Sequence, residues 1–171
     1  MKTMIVVAIS VMSLIGLLYA WGLTLPENLK FQKSEILNHP IIRVWETVRD
    51  IKGQENWRSD INNIEVLDTT KAKEIWIEYP KSGPQIKFRT VSIQESIAWK
   101  MEIVETKGFS ATWTGSFKSL NDSQTEIDFV ESVSYPSPWM RIFAKIFIDL
   151  NSTMDLYLAD LKTELERQNG K

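Results

Sequence analysis

The sequence predicts an α+β protein in which a curved antiparallel β-sheet wraps around a long C-terminal helix, with one transmembrane helix ahead of both. Three observations carry this. Positions 3–26 form an uncharged, mostly apolar run. Between Asn62 and Tyr135 apolar residues recur at every second position, as in strands with one buried face. Between Pro138 and Leu165 the period changes to three and four, that of an amphipathic helix.

The apolar run comes first. Lys2 is the only charged side chain before Glu27. At a rise of about 1.5 Å per residue, roughly 20 apolar residues cross a hydrocarbon core of about 30 Å. Tyr19 and Trp21 stand near its C-terminal end, where amphipathic rings favour the headgroup layer. A cleaved signal peptide would need a shorter apolar core and a small-x-small site, which Ala20-Trp21-Gly22 matches poorly. Residues 1–26 are therefore read as an uncleaved anchor and 27–171 as one domain. Lys30 and Lys33 follow the span as closely as Lys2 precedes it, so charge hardly orients it. The short lysine-bearing tail has the form of an export signal and favours an outer, extracytoplasmic domain.

Pro26 ends the span, and Leu29–Leu37 reads as a strand. Asn38-His39-Pro40 is a helix-start signal, with Asn38 able to cap and Pro40 tolerated in the first turn. Ile41, Ile42, Val44, Trp45 and Val48 follow at helical spacing until Gly53, and a short second helical turn surrounds Glu55–Trp57. Strand rows follow at Ile64/Val66, Ile75/Ile77/Tyr79, Ile86/Phe88 and Trp99/Met101/Ile103. In Phe109–Phe117 large apolar residues, Ala111 and Gly115 alternate with Ser and Thr. Ile127, Phe129, Val133 and Tyr135 line one face of the last strand, and turns fall at 80–84 and 121–123. Phe143, Phe147, Leu150, Met154, Leu158, Leu161 and Leu165 then form a single stripe on one long helix, with Gly170 past its end. This helix alone is large enough to cover the sheet, and a ligand would sit between the two.

Composition excludes several functions. Nineteen basic and 22 acidic residues remain once Lys2 is set aside, with no long single-sign run, so no nucleic-acid partner is expected. There is no cysteine, and His39 is the only histidine, so neither a zinc or iron site nor any other cofactor is expected. Six of the seven tryptophans follow the anchor and can build an aromatic core or cavity.

Several local patterns occur together with this element order. Leu25-Pro26-Glu27 precedes a strand, Asn38-His39-Pro40 precedes Val44-Trp45, Asp50 precedes Trp57, and Leu156-Tyr157-Leu158-Ala159-Asp160-Leu161-Lys162 closes the last helix. The combination resembles the START/SRPBCC superfamily, the helix-grip or polyketide cyclase/dehydrase-like proteins, over roughly residues 29–168. An anchor directly before the domain is also familiar in bacterial members. The resemblance implies a cavity for a hydrophobic small molecule or lipid. It implies no single activity, since members include carriers, cyclases, hydrolases and chaperone-like proteins.

Trp99, Trp113, Phe129, Tyr79, Phe88, Phe147 and Met154 are the candidate cavity residues, with Asn151 at the edge. Such a stripe is also what ordinary core looks like. Glu131 stands out because strand parity points it inward between Phe129 and Val133. There it must pair, take up a proton, or be turned outward by a bulge; Arg89 and Lys100 are the candidate partners. Beside Pro40 at a helix start, His39 suits a loop or capping role better than catalysis. Trp139, Met140, Ile142 and Ile146 make the start of the last helix apolar on more than one side, as burial, a partner or a bilayer would require. The favoured function is a monomeric, membrane-tethered binder of a hydrophobic small molecule or lipid. The alternatives are a cyclase/dehydratase-type enzyme using Glu131 with a cavity Arg or Tyr, and an interaction domain with a filled interior.

Overall fold

The computed structural model describes residues 2–169. Gly170, expected just past the last helix, lies outside them. Helix α1 (Lys2–Thr24) leads to strand β1 (Asn28–Leu37), helix α2 (Ile41–Arg49) and a 3-10 turn (Gly53–Asn56). Strands β2 (Ile61–Asp68), β3 (Ile75–Pro80), β4 (Ile86–Gln94), β5 (Ala98–Val104), β6 (Ser110–Asn121) and β7 (Gln124–Ser134) follow, then helices α3 (Pro138–Phe147) and α4 (Leu150–Asn169). The seven strands form one antiparallel sheet in the order β1-β7-β6-β5-β4-β3-β2. Each consecutive pair from β2 to β7 is joined by a short connection. Only β1 crosses over, through α2, to lie beside the last strand.

The main core lies between the sheet and α4. Met154, Leu158, Leu161 and Leu165 of α4 are no more than 5% exposed and share one buried cluster with Phe129, Ile127, Phe117, Trp99 and Trp76. Helix α2 adds Val44, Trp45 and Val48, and the Trp45 ring meets Phe117 edge-on at 5.1 Å between centroids. A second, smaller cluster of Ala111, Val133, Tyr135 and Ala144 lies under α3. Ion pairs tie α4 to β1, from Lys33 to Asp155 at 2.9 Å and from Glu35 to Lys162.

Three expectations change. The single closing helix is two. Ile148 is extended (φ −114°, ψ 120°), and Asp149 caps the new start, its carboxylate accepting from the Ser152 amide at 3.2 Å and hydroxyl at 2.7 Å. Asn38 does not cap α2. Its side-chain oxygen accepts from Gln124 Nε2 at 2.9 Å, and no side chain caps that helix. In β3 the inward row is Glu74, Trp76 and Glu78, all buried, whereas Ile75, Ile77 and Tyr79 occupy the other face.

Gly115 sits where β6 and β7 carry their largest rings. A Cβ there would come 2.4 Å from the tip of the Trp113 indole and 3.2 Å from the Phe129 ring. The indole folds over the space left by the missing side chain. Gly115→Ala should therefore destabilise the fold by about 1–3 kcal/mol, the usual cost of overpacking, measured by urea unfolding. Unchanged stability would mean that Trp113 does not cover Gly115.

Candidate functional site

Two grooves on the surface lie away from the predicted site. One of about 630 Å³ runs between α2, the 3-10 turn and the end of α4, past Thr47, Asp50, Trp57, Glu164 and Arg167. Another, of about 430 Å³, lies beside Trp45, Arg49 and Glu95. None of the predicted cavity residues lines either.

Those residues divide. Trp99 and Phe129 are fully buried, Met154 is 5% exposed, and Phe88 stacks on Trp76 at 5.4 Å between centroids. Trp113 links the group, its ring 5.7 Å from Trp99 and 4.9 Å from Phe129. Tyr79 does not belong to it. It lies on the outer face, and its hydroxyl donates to Glu65 at 2.9 Å. Apolar residues stand on both faces of β3, so alternation alone assigned the wrong one. Phe147 does not belong either: it is 70% exposed, because the break at Ile148 separates α3 from the helix that covers the core. Asn151 is exposed in the first turn of α4.

Glu131 faces the interior. It pairs across the sheet with Phe31 on β1 and Trp113 on β6, with register unbroken at these positions, so no bulge turns it outward. Arg89 and Lys100 cannot reach it. Both alternate with inward residues, and Arg89 is committed to Glu102. Among the described residues no cation or hydrogen-bond donor meets the Glu131 carboxylate. Burial alone pushes its pKa up from 4.5 to about 7. Tyr135, two registers along on the same face, has its phenol raised by burial and then by the Glu131 charge.

The surroundings of Glu131 form a seam. On one side Phe129 belongs to the core under α4; on the other Val133 belongs to the cluster under α3. Phe31, Trp113 and Met101 lie in the same row across the sheet and face inward, yet each is only half-buried. This row is a partly exposed stretch of the concave face, apolar side chains packed against the core with one carboxyl in the middle. Phe31 and Tyr135 were absent from the predicted site. Phe31 became visible only through the β1–β7 pairing, which joins residues a hundred positions apart.

The far end of the concave face carries charge that is paired. Arg58 donates to Glu78 at 2.9 Å and to Asp60 at 2.9 Å, while Trp76 Nε1 donates to Glu78 at 3.2 Å. The Arg58 guanidinium also lies 5.4 Å from the Tyr157 ring centre. Arg49 donates to Glu74 at 2.7 Å and lies over the Trp99 ring at 4.4 Å. Arg49 Nη1 and Glu74 Oε2 are buried without a partner. His39 is 6% exposed, near Asn169, and its pKa is lowered by burial and then by Arg43. Its backbone carbonyl accepts from the buried Thr125 hydroxyl at 2.8 Å. It lines the joint between β1 and α2, not the row around Glu131. No group of three or more His, Cys, Asp or Glu is placed to hold a metal among the described residues.

The curved seven-stranded sheet gripping a C-terminal helix is the helix-grip fold of START/SRPBCC proteins. Solved structures of that kind superpose on most of the chain. The Zhui aromatase/cyclase from Streptomyces sp. R1128 matches with a TM-score of 0.69 at 14% identity, over 82% of this chain and 95% of that one. Norcoclaurine synthase from Thalictrum flavum matches with a TM-score of 0.69 at 8% identity, over 83% and 96%. A START superfamily protein from Mycobacterium smegmatis matches with a TM-score of 0.64 at 14% identity, over 81% and 98%. At these identities the likeness is one of fold. No family model matches the sequence, and no curated protein matches it.

Because the folded-state pKa of Glu131 is raised, the folded state binds more protons than the unfolded one between pH 4.5 and about 7. Stability therefore falls as pH rises through that window, by up to about 3 kcal/mol. Glu131→Gln lacks this term. Its stability should match the parent near pH 4 and exceed it increasingly up to pH 7, then by a constant margin, in urea unfolding at each pH. A constant difference across the range would mean that the carboxyl is solvated or paired.

Proposed function

We propose that this chain is a single-pass, membrane-tethered domain that binds a hydrophobic small molecule or lipid against the partly exposed row around Glu131. One observation carries the reading. Inward-facing Phe31, Met101 and Trp113 are left partly exposed around an unpartnered carboxyl, although the apolar surface beside them is fully buried. Such a surface gains about 25 cal/mol for each Å² that a ligand covers. The Glu131 carboxyl, poised near neutrality, gives one end of that ligand a hydrogen-bond donor or acceptor.

The anchor in this proposal is Thr3–Thr24, which is long and apolar enough to cross a membrane and is not covered by the domain along its apolar window.

A second reading follows from the same carboxyl. A glutamate with a pKa near 7, electrostatically coupled to a phenol, is the pairing that a cyclase- or dehydratase-type reaction needs for proton transfer. Binding takes precedence because no hydrogen bond joins Glu131 and Tyr135, and a general base needs an oriented partner.

Native mass spectrometry of the detergent-extracted protein separates these readings. A co-purified hydrophobic molecule, released more readily from Glu131→Gln and Trp113→Ala than from the parent, is the expected result. Loss of turnover of that molecule in Glu131→Gln, with retention unchanged, would favour the enzyme. An empty protein whose stability no lipid extract raises would favour an interaction domain with a filled interior.

A further inference from the structure

Helix α3 carries an apolar stripe that the domain leaves uncovered. Trp139, Phe143, Ile146 and Phe147 are 45, 49, 57 and 70% exposed. At about 100° per residue they occupy one arc of the helix. The neighbouring arc is seated: Ala144 is 5% exposed, and Met140 packs with it on Val133, Tyr135 and Ala111. A contiguous aromatic stripe on an otherwise well-packed domain marks a surface that something apolar covers.

The position of α3 says what covers it. Its first residue packs on Gly22 of α1, where a Cβ would come 2.6 Å from the Pro138 carbonyl oxygen. The Trp139 and Tyr19 rings meet at 5.8 Å between centroids. Arg141 fixes the joint. It donates to the Leu25 carbonyl at 3.3 Å, the Tyr135 carbonyl at 2.8 Å, the Pro136 carbonyl at 2.9 Å and the Glu27 carboxylate at 2.7 Å. The stripe of α3 therefore continues the apolar surface of α1. Tyr19 lies five residues before the end of α1, so Trp139, in contact with it, stands about 7.5 Å below that end at 1.5 Å per residue. Amphipathic helices that lie in a bilayer interface bury their apolar faces about 5–10 Å deep. Tyr19, Trp21 and Trp139 are the ring types that favour that layer. Lys145, exposed off the stripe, is free to reach lipid phosphates.

We propose that α3 is an interfacial membrane helix, embedded in the same leaflet as the C-terminal end of α1, and that it holds the Glu131 end of the concave face against the lipid. The proposal rests on the reading of α1 as an anchor.

The chain has no cysteine, so single nitroxide labels can be placed cleanly. Cysteines replace Leu14, Phe143, Phe147 or Val91, all at least 45% exposed, in the full chain reconstituted into phosphatidylcholine–phosphatidylglycerol vesicles. Collision with oxygen reports lipid, and collision with an aqueous nickel chelate reports water. Labels at 143 and 147 should favour oxygen, as at 14, while the label at 91 on β4 favours nickel. If 143 and 147 follow 91 while 14 remains in lipid, α3 lies in water and the proposal fails with the anchor intact. If 143 and 147 are shielded from both reagents, protein covers the stripe and the proposal again fails. If 14 itself follows 91, the anchor reading falls and takes the proposal with it.

Discussion

A single helix cannot cover seven strands. With strands about 4.8 Å apart the sheet is about 29 Å wide, whereas a helix with its side chains is about 10–12 Å across. Every other feature of the interior answers this mismatch. Helix α4 follows the β1 side, held by Lys33–Asp155 and Glu35–Lys162, and buries its apolar row there. Toward β3 the cover is side chains: Trp76, Phe88 and Trp99 fill the curve with large rings. Toward the ends of β6 and β7 the cover is α3. The row through Phe31, Glu131, Trp113 and Met101 falls between these solutions and stays only partly covered.

The same mismatch explains why charge enters the concave face at two places with opposite outcomes. Glu74 and Glu78 flank Trp76 and each meets an arginine, Arg49 or Arg58, brought in from α2 or the segment after the 3-10 turn. Such pairs contribute little net stability, but removing one partner strands a buried charge, at a typical cost of about 3–5 kcal/mol. They fix where α2 and the following segment lie on the sheet. Glu131 has no such counterpart and is held in its ordinary backbone register by both neighbouring strands. A residue that costs stability without fixing any contact points to function more directly than one that is paired.

Legibility in the sequence followed the chemistry of each strand. In β6 the partners of the large side chains are serines and threonines, so the inward row of Ala111, Trp113, Gly115 and Phe117 was plain. The same parity put Glu131 beside Phe129 and Val133. In β3 the inward glutamates are paired with arginines 20 and 25 positions earlier, contacts that no local pattern records, so the apolar outer row looked like the buried one. The break between α3 and α4 did leave a signal. Asp149 followed three residues later by Ser152 has the form of a helix start. The apolar spacing of Phe143, Phe147 and Leu150 ran across it and hid it. The full row was not legible, because Phe31 joins Glu131 only through the crossover that brings β1 beside β7.

Only Leu25, Pro26 and Glu27 separate α1 from β1. Fully extended, three residues span about 10 Å, and Arg141 ties two of the three to α3. With α1 in a bilayer, the domain has no leash: it can neither swing out to a facing membrane nor shuttle cargo through the aqueous space between two membranes. On the proposed function, ligand exchange is then confined to the leaflet beneath it, or to a partner that comes to it. On that reading the domain is a fixed station in its own membrane, and its throughput is set by lateral diffusion of whatever arrives there.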